Sequence, residues 1–289
     1  MNNNQKTWKV IDILKTTTAY FDSKKIENPR LNAEQLLASV LNLSRVQLYL
    51  QFEKILTPQE VAHYREFIRR RGNNEPLQYI TGTTEFMGLP FNVNSAVLIP
   101  RPETEFMVDH IIETIRNTQI KNPLVLDVGT GSGCIAISLA YHLPDSMITA
   151  TDVSREALKV AVSNAKQINI KNINFIQHDI LVGNDPPIEQ VDIIVANPPY
   201  VSEEEMNNLP QEIKNFEPSL ALTDFKSGLL FYEKILSLID KGLKCKFAFL
   251  EMNANLKTEI LEIASSFGFK NIMVIPDLNN LPRVLKIEI

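Results

Sequence analysis

Residues 126–140 read LDVGTGSGCIAISLA. An apolar run ends in Asp127, glycines follow at every second position, and a second apolar run of helical character begins at once. Gly129, Gly131 and Gly133 allow the backbone to turn tightly from strand to helix and allow a ligand to approach it closely. The spacing G-x-G-x-G is one residue shorter than the dinucleotide fingerprint, and taken alone it is equally a structural turn. Outward from this point the chain alternates strand and helix: LVLDV (124–128), a helix from Gly133, MITATD (147–152), a helix from Ser154, INFIQHD (173–179), VDIIVAN (191–197), a helix around 228–240, KFAFLEM (246–252), a helix around 255–266, NIMVI (271–275) and VLKIEI (284–289). Strands that are apolar almost throughout, each followed by a helix, predict a parallel sheet covered on both faces. Only PDLNNLP separates the last two strands, too short for a crossover helix, so that pair must run antiparallel. The fold class is therefore α/β, Rossmann-like, a mostly parallel sheet with one reversed strand near its edge.

Ligands of such sheets sit beyond the carboxyl ends of the strands. Asp152 closes the strand after the glycine loop, 19 residues past Gly133, where an acid can accept hydrogen bonds from both ribose hydroxyls of a nucleoside. Asp179 ends the next strand and can face the base. The fourth strand runs into Asn197-Pro198-Pro199-Tyr200. A residue before proline is held extended, and neither proline has an N–H. This corner is stiff and poor in donors, and it offers the Asn197 side-chain oxygen and a main-chain carbonyl as neighbouring acceptors. Two acceptors suit an NH₂ group, and Tyr200 can lie against a flat π-system. The predicted target is a planar amide or amino nitrogen that must be oriented to attack an activated methyl group.

The region before the sheet reads differently. Trp8, Ile11, Leu14 and Phe21, then Ala33, Leu36, Leu37, Val40 and Leu41, recur at helical spacing. Asn32 with Gln35, Ser44 with Gln47 and Thr57 with Glu60 are candidate caps, the last with Pro58 at the first helical position. The spacing predicts a helical bundle over 1–74. Arg65, Arg69, Arg70 and Arg71 fall near the end of its last helix, suited to the helix dipole or to an acidic partner. Residues 75–103 carry short β-branched or aromatic stretches broken by Gly82, Gly88 and Pro90, the pattern of a linker with a hairpin. Residues 104–289, with the alternating strands and helices, are expected to form the catalytic domain.

With 289 residues and 44% hydrophobic content the chain is long enough for a large and a small domain. The net charge of −5 argues against a phosphate backbone as main partner. Cys134 and Cys245 lie in apolar runs and read as buried free thiols of a reducing compartment, and four scattered His residues suggest no metal cluster. MNNNQKTWKV lacks the layout of a signal peptide, and no run approaches the length of a membrane span. A cytoplasmic protein is expected.

The segments PRLNAEQLLASVL (29–41), EPLQYITGTTEFMGLPFNVNSAVLIPRPETE (75–105), LDVGTGSGCIAISLA, TDVSREALKVAVSNAK (151–166), NPPYVSEEE (197–205) and FEPSLALTDFKSGLLFYEKI (216–235) cover nearly the whole chain. Together they resemble the protein N5-glutamine methyltransferases of the PrmC/HemK family, in particular those acting on release factors. The resemblance implies a class I fold with a seven-stranded sheet. It further implies that the chain would use S-adenosyl-L-methionine, yield S-adenosyl-L-homocysteine, and methylate the glutamine of the Gly-Gly-Gln loop in class 1 peptide-chain release factors. By position, Gly129, Thr130, Gly131, Ser132 and Gly133 would line the cofactor, Asp152 its ribose, and Asp179 with Ile180 its adenine. Asn197, which also borders the cofactor, and Pro198 would hold the substrate amide, with Pro199 and Tyr200 completing the pocket. The helical part would dock the release factor. Arg101, Pro102, Glu103 and Glu105 of LIPRPETE either begin a helix or line the cleft.

The chain departs from the family pattern twice. Asn253 stands where a glycine is usual after the strand ending in Glu251, and NNLPR lacks a glycine between Asp277 and Arg283. A monomer with no metal, no stable nucleic-acid binding and no membrane association is expected. The alternatives are a methyltransferase of a ribosomal-protein glutamine and an adenine-N6 methyltransferase of nucleic acid.

Overall fold

Apolar periodicity sets the element types from Val10 onward, as a computed structural model of residues 7–182 and 188–289 describes. The first six residues of MNNNQKTWKV and residues 183–187 lie outside the described residues. The helices α1 (Val10–Ser23), α2 (Pro29–Leu41), α3 (Arg45–Leu50), α4 (Pro58–Gly72) and α5 (Leu77–Thr81) come first, then the strands β1 (Thr83–Phe86) and β2 (Leu89–Asn92). The alternating part follows as α6 (Pro102–Asn117), β3 (Leu124–Val128), α7 (Cys134–His142), β4 (Met147–Asp152), α8 (Arg155–Ile168), β5 (Ile173–Gln177) and β6 (Ile193–Ala196). It ends with α9 (Gln211–Phe216), α10 (Leu230–Asp240), β7 (Phe247–Glu251), α11 (Lys257–Ser266), β8 (Asn271–Pro276) and β9 (Pro282–Glu288). Two units result: the chain up to Gly82 together with 211–216, and 83–210 together with 217–289.

In the first unit the capping chemistry sets where two helices begin. Ser44 with Gln47 and Thr57 with Glu60 each form a reciprocal capping box, and Pro58 opens α4. Asn32 does not cap. Proline at position 29 starts α2 earlier, and Asn32 is buried inside it, its Nδ2 donating to the carbonyls of Glu27 and Asn28. Its Oδ1 accepts from Arg71 Nε at 2.7 Å. Leu77–Thr81, whose composition reads as extended, is a helix, because Pro76 pre-sets the approach and Gly82, at φ +77°, terminates it. The arginines of the last turn of α4 are paired: Arg69 with Glu66, Arg70 with Glu75 and Arg71 with Glu212 of α9. Phe21, Leu36, Leu37, Leu48 and Tyr64 are fully buried between these helices.

The second unit is built on a seven-stranded sheet in the order β5-β4-β3-β6-β7-β9-β8. The strands from β5 to β7 are parallel, and β9 runs antiparallel to both of its neighbours. Alternate residues enter two cores, one on each face. Val125, Ile193, Val195, Phe247 and Phe249 pack with Met107 and Ile111 of α6 and with α7. Leu126, Ile194, Ala196, Ala248 and Leu250 pack with α10 and α11. That two-sided burial explains the unbroken apolar runs. The hairpin β1-β2 is antiparallel and is fastened to α8, where Asn164 Oδ1 accepts from Asn92 N at 2.8 Å. Strand order reverses between β3 and β6, and a ligand crevice is expected beyond their carboxyl ends.

Candidate active site

The loop after β3 is made by left-handed glycines. Gly129 and Gly131 adopt φ +72° and +55°, and a Cβ placed on either would meet open space. Gly133, at φ +81°, serves helix packing. A Cβ there would come within 2.8 Å of Ile137 Cδ1 and 3.1 Å of Ala161 Cβ, so its missing side chain lets α7 pack on α8. The loop is pinned to the end of β4. Gly129 N and Thr130 N both donate to Thr151 O, and Gly131 N donates to Asp152 Oδ2 at 2.9 Å. Buried Asn164 holds it from behind, its Nδ2 donating to Ser132 O at 2.9 Å and to Asn92 O at 3.0 Å.

Around this loop lies a cavity of about 260 Å³, far beyond the roughly 30 Å³ that one water occupies. Its walls include Gly129, Thr130, Gly131, Ser132, Asp152, Asp179, Ile180, Arg101, Asn197 and Pro199. Asp152 Oδ1 accepts from Ser154 N at 2.8 Å, and burial raises its carboxyl above the usual range. Asp179 Oδ1 accepts from Leu181 N, and Ile180 is buried beside it. His178 also faces the cavity, and its Nε2 is buried without a protein partner. Asp127 is fully buried behind the loop. Its Oδ2 accepts from Thr130 Oγ1 at 2.7 Å, its Oδ1 has no partner, and burial pushes the carboxyl up to about 7. Partly buried Cys134 and Cys245 are free thiols, both pushed up to about 12 by burial, so neither is a ready nucleophile at neutral pH.

At the end of β6, next to β3 in the sheet, the Asn-Pro-Pro-Tyr corner reaches the same cavity through Asn197 and Pro199. Pro198 is buried, and it and Tyr200 are not among the walls. Tyr200 OH instead donates to Glu251 Oε1 at 3.3 Å, and its ring packs on the core beneath α10. Asn197 Nδ2 donates to Thr104 Oγ1 at 3.1 Å, and Thr104 Oγ1 donates to Glu251 Oε2 at 2.6 Å. Thr104 and Glu251 are both buried.

LIPRPETE both begins α6 and borders the cavity, with a division of labour that charge alone hides. Arg101 lines the cavity and pairs with Glu217 at 2.5 Å. Pro102 and Glu103 are exposed at the helix start, and Glu105 turns away, its Oε1 accepting from Met87 N. Thr104, absent from the residues singled out by sequence, is the one that touches Asn197. Glu251 was likewise missed as a partner, since a strand-terminal acid carries no signal of its own. Gly228 and Asp224 of TDFKSG were missed as well. Asp224 accepts from the N–H groups of Lys226, Gly228 and Leu230, and a Cβ on Gly228 would come within 2.4 Å of Tyr200 O. A glycine packed against a proline-rich corner is a signal that can be sought.

Neither departure from the family pattern disturbs the backbone. Asn253 sits at φ −72°, where no glycine is needed, and its Oδ1 accepts from Asn255 N to cap the turn before α11. Asn280 takes φ +61° in place of a glycine, and Asp277 remains paired with Arg283 at 3.0 Å.

Comparison with known proteins supplies relatives for both units. Residues 12–82 match the PrmC N-terminal domain family, and residues 103–215 match the methyltransferase small domain family. The release factor glutamine methyltransferase of Chlorobaculum tepidum is 42% identical, with 97% of each chain covered. That of Flavobacterium psychrophilum is 39% identical over 93% of each chain. Among solved structures, a methyltransferase from Pyrococcus furiosus is similar in fold at TM-score 0.51 and 17% identity, covering 70% of this chain and 89% of the other. A 16S rRNA methyltransferase of T. thermophilus in complex with AdoMet and guanosine aligns at TM-score 0.50 and 15% identity, covering 71% of this chain and 49% of the other.

Proposed function

Because the chain belongs to the release factor glutamine methyltransferases, we propose that it moves a methyl group from S-adenosyl-L-methionine to the side-chain nitrogen (N5) of the glutamine in the Gly-Gly-Gln loop of a class 1 peptide-chain release factor. The observation that carries this reading is that the glycine loop, Asp152 at the end of β4, Asp179 just past β5 and the Asn197 corner all border one cavity.

The residues present fit the cofactor. Gly129 and Gly131 leave open space where side chains would stand, Asp152 and Asp179 bring acceptors for hydroxyl and amino groups, and His178 Nε2 lacks a partner. Gly129 to Ser132, Asp152, Asp179 and Ile180 would hold it. When bound, it supplies a methyl group activated on a sulfonium.

The protein itself supplies orientation. A carboxamide nitrogen is a weak nucleophile because its lone pair is delocalised into the carbonyl. Asn197 Oδ1 and a neighbouring main-chain carbonyl would accept its two N–H groups, fixing the direction of the nitrogen and favouring positive charge on it as the new C–N bond forms at the expense of the methyl–sulfur bond, after which one of the two amide protons is lost to water. Fixed carbonyl dipoles stabilise that charge without reorganising. Placement alone can contribute roughly 7–11 kcal/mol in well-oriented reactions. Pro198 and Pro199 add stiffness and bring no N–H to compete for the substrate carbonyl. Tyr200 is held neutral by burial and by the adjacent Glu251, so its hydroxyl serves as a donor and spacer.

The test uses methyl-labelled cofactor with a release factor, its Gln→Ala loop variant, a ribosomal protein extract and DNA in separate incubations. Label on the intact release factor and none on the Gln→Ala variant is the expected result. Label persisting on that variant would overturn the assignment, and label confined to ribosomal protein or to DNA would move it to another glutamine or to adenine.

A further inference from the structure

We propose that Thr104 and Glu251 are positioning residues for the methyl transfer: together they fix which way the Asn197 amide faces, so that its oxygen and not its NH₂ group is presented to the substrate. The inference rests on the reading of Asn197 as an acceptor for the substrate amide.

Proton counting carries it. A threonine hydroxyl has one proton to give. Thr104 Oγ1 spends that proton on Glu251 Oε2, at 2.6 Å, a charge-assisted bond. Its oxygen then has only lone pairs left for Asn197, so the group that meets it at 3.1 Å must be the amide NH₂. The amide is planar, and with Nδ2 committed to Thr104 the oxygen takes the other side, in a residue that lines the cavity. Reversing the chain of donors reverses the amide. If Glu251 Oε2 carried a proton, it would donate to Thr104 Oγ1, the threonine proton would pass to Asn197 Oδ1, and the NH₂ group would be left facing an NH₂ substrate. Two donors facing one another cannot bond.

Groups from several elements surround Glu251. Thr104 and Glu103 approach from α6, Tyr200 from the corner after β6, Arg283 from β9, and Tyr232 of α10 donates to the main-chain carbonyl of Glu251 itself at 2.6 Å. Burial pushes the carboxyl up to about 6, the charge of Glu103 acts in the same direction, and Thr104, Tyr200 and Arg283 oppose it. The carboxylate form therefore predominates at neutral pH and is lost on mild acidification.

The experiment measures kcat/KM for a release factor, cofactor affinity by calorimetry, and the rate between about pH 5 and pH 8, for wild type, Thr104→Val, Thr104→Ser, Glu251→Gln and Asn197→Ala. Thr104→Val keeps shape and removes the hydroxyl. It is expected to lower kcat/KM for the protein substrate by roughly 10- to 100-fold with cofactor affinity unchanged, and Thr104→Ser is expected to restore most of the loss. The wild-type rate should fall on the acid side with a midpoint near 6, and Glu251→Gln should remove that limb because it has no proton to gain. If Glu251→Gln does not fold, the Thr104 pair decides alone. Wild-type kcat/KM in Thr104→Val, beside an inactive Asn197→Ala, would overturn the positioning role while leaving Asn197 as the acceptor. Full activity in both would overturn the parent reading. An acid limb that persists in folded Glu251→Gln would overturn the coupling to Glu251.

Discussion

Two loops leave the carboxyl ends of adjacent parallel strands, one after β3 and one after β6, and they are built from opposite materials. The first has three glycines at positive φ, two of them leaving open space and the third letting helices pack, and N–H groups tied to the end of β4. The second has two prolines, no N–H at either of them, and a side-chain amide at its head. The first loop creates room by removing atoms, and its shape must be imposed by Asp152 and Asn164. The second creates direction by removing freedom, and its backbone needs little support. The proposed group transfer needs both properties, one for a bulky donor molecule and one for a small acceptor group that must be aimed, and under that proposal neighbouring strands of one sheet would deliver them a few ångströms apart in the hydrogen-bonding direction.

Asn197→Ala breaks the second loop alone. It is expected to cut turnover by roughly 10²–10³-fold while cofactor affinity stays close to wild type, as steady-state kinetics with calorimetry would read. A matching loss of cofactor affinity would show that the two loops are not separable. Asn164→Ala removes the buried support behind the first loop, taking away the Asn164 bonds to Ser132 O and to the Asn92 peptide. A loss of about 2–4 kcal/mol in a denaturant melt is expected, with the rate on the folded fraction much less affected. Gly131→Val places a branched side chain at φ +55°, a conformation costing a non-glycine residue roughly 1–2 kcal/mol. Its Cβ stands in open space, so the deficit should appear in the KM for the cofactor and not in that for the release factor.

A pH-dependent effect concerns Asp127, at the root of the first loop. Its folded-state carboxyl is raised from the ordinary 3.8 to about 7, so between these values the folded state holds a proton that the unfolded state has released. Stability must then decline as pH rises through that window. Asp127→Asn should flatten the decline in thermal melts taken without cofactor, whereas no change in slope would show that Asp127 gains a partner or water that offsets its burial.

Sequence reading located the sheet because strands buried on both faces need unbroken apolar runs, and it placed the reversed strand because a short connection leaves no other geometry. It located Asn197 and the glycines because those residue types have few substitutes at such turns. It missed Thr104 because that residue is flanked by Arg101, Glu103 and Glu105, whose charges draw the eye while the neutral hydroxyl enters the core. Asn32 looked like a cap because it has the right side chain, yet a proline three residues earlier had already begun the helix. Leu77–Thr81 looked extended because β-branched and aromatic residues favour strands, but tertiary burial of Tyr79 and Ile80 decided otherwise. Asn253 and Asn280 looked like departures from a glycine pattern, although one needs no positive φ and the other tolerates it.

The helix Gln211–Phe216 gives the first unit a discontinuous origin in the gene. Arg71, 7% exposed, finds its carboxylate on Glu212 at 2.9 Å, and Asn74 Nδ2 donates to Gln211 Oε1. A fragment cut at residue 82 would keep the guanidinium and lose the acid that neutralises it. An exchange of the amino-terminal segment alone would therefore separate Arg71 from the distant stretch of reading frame that encodes its partner.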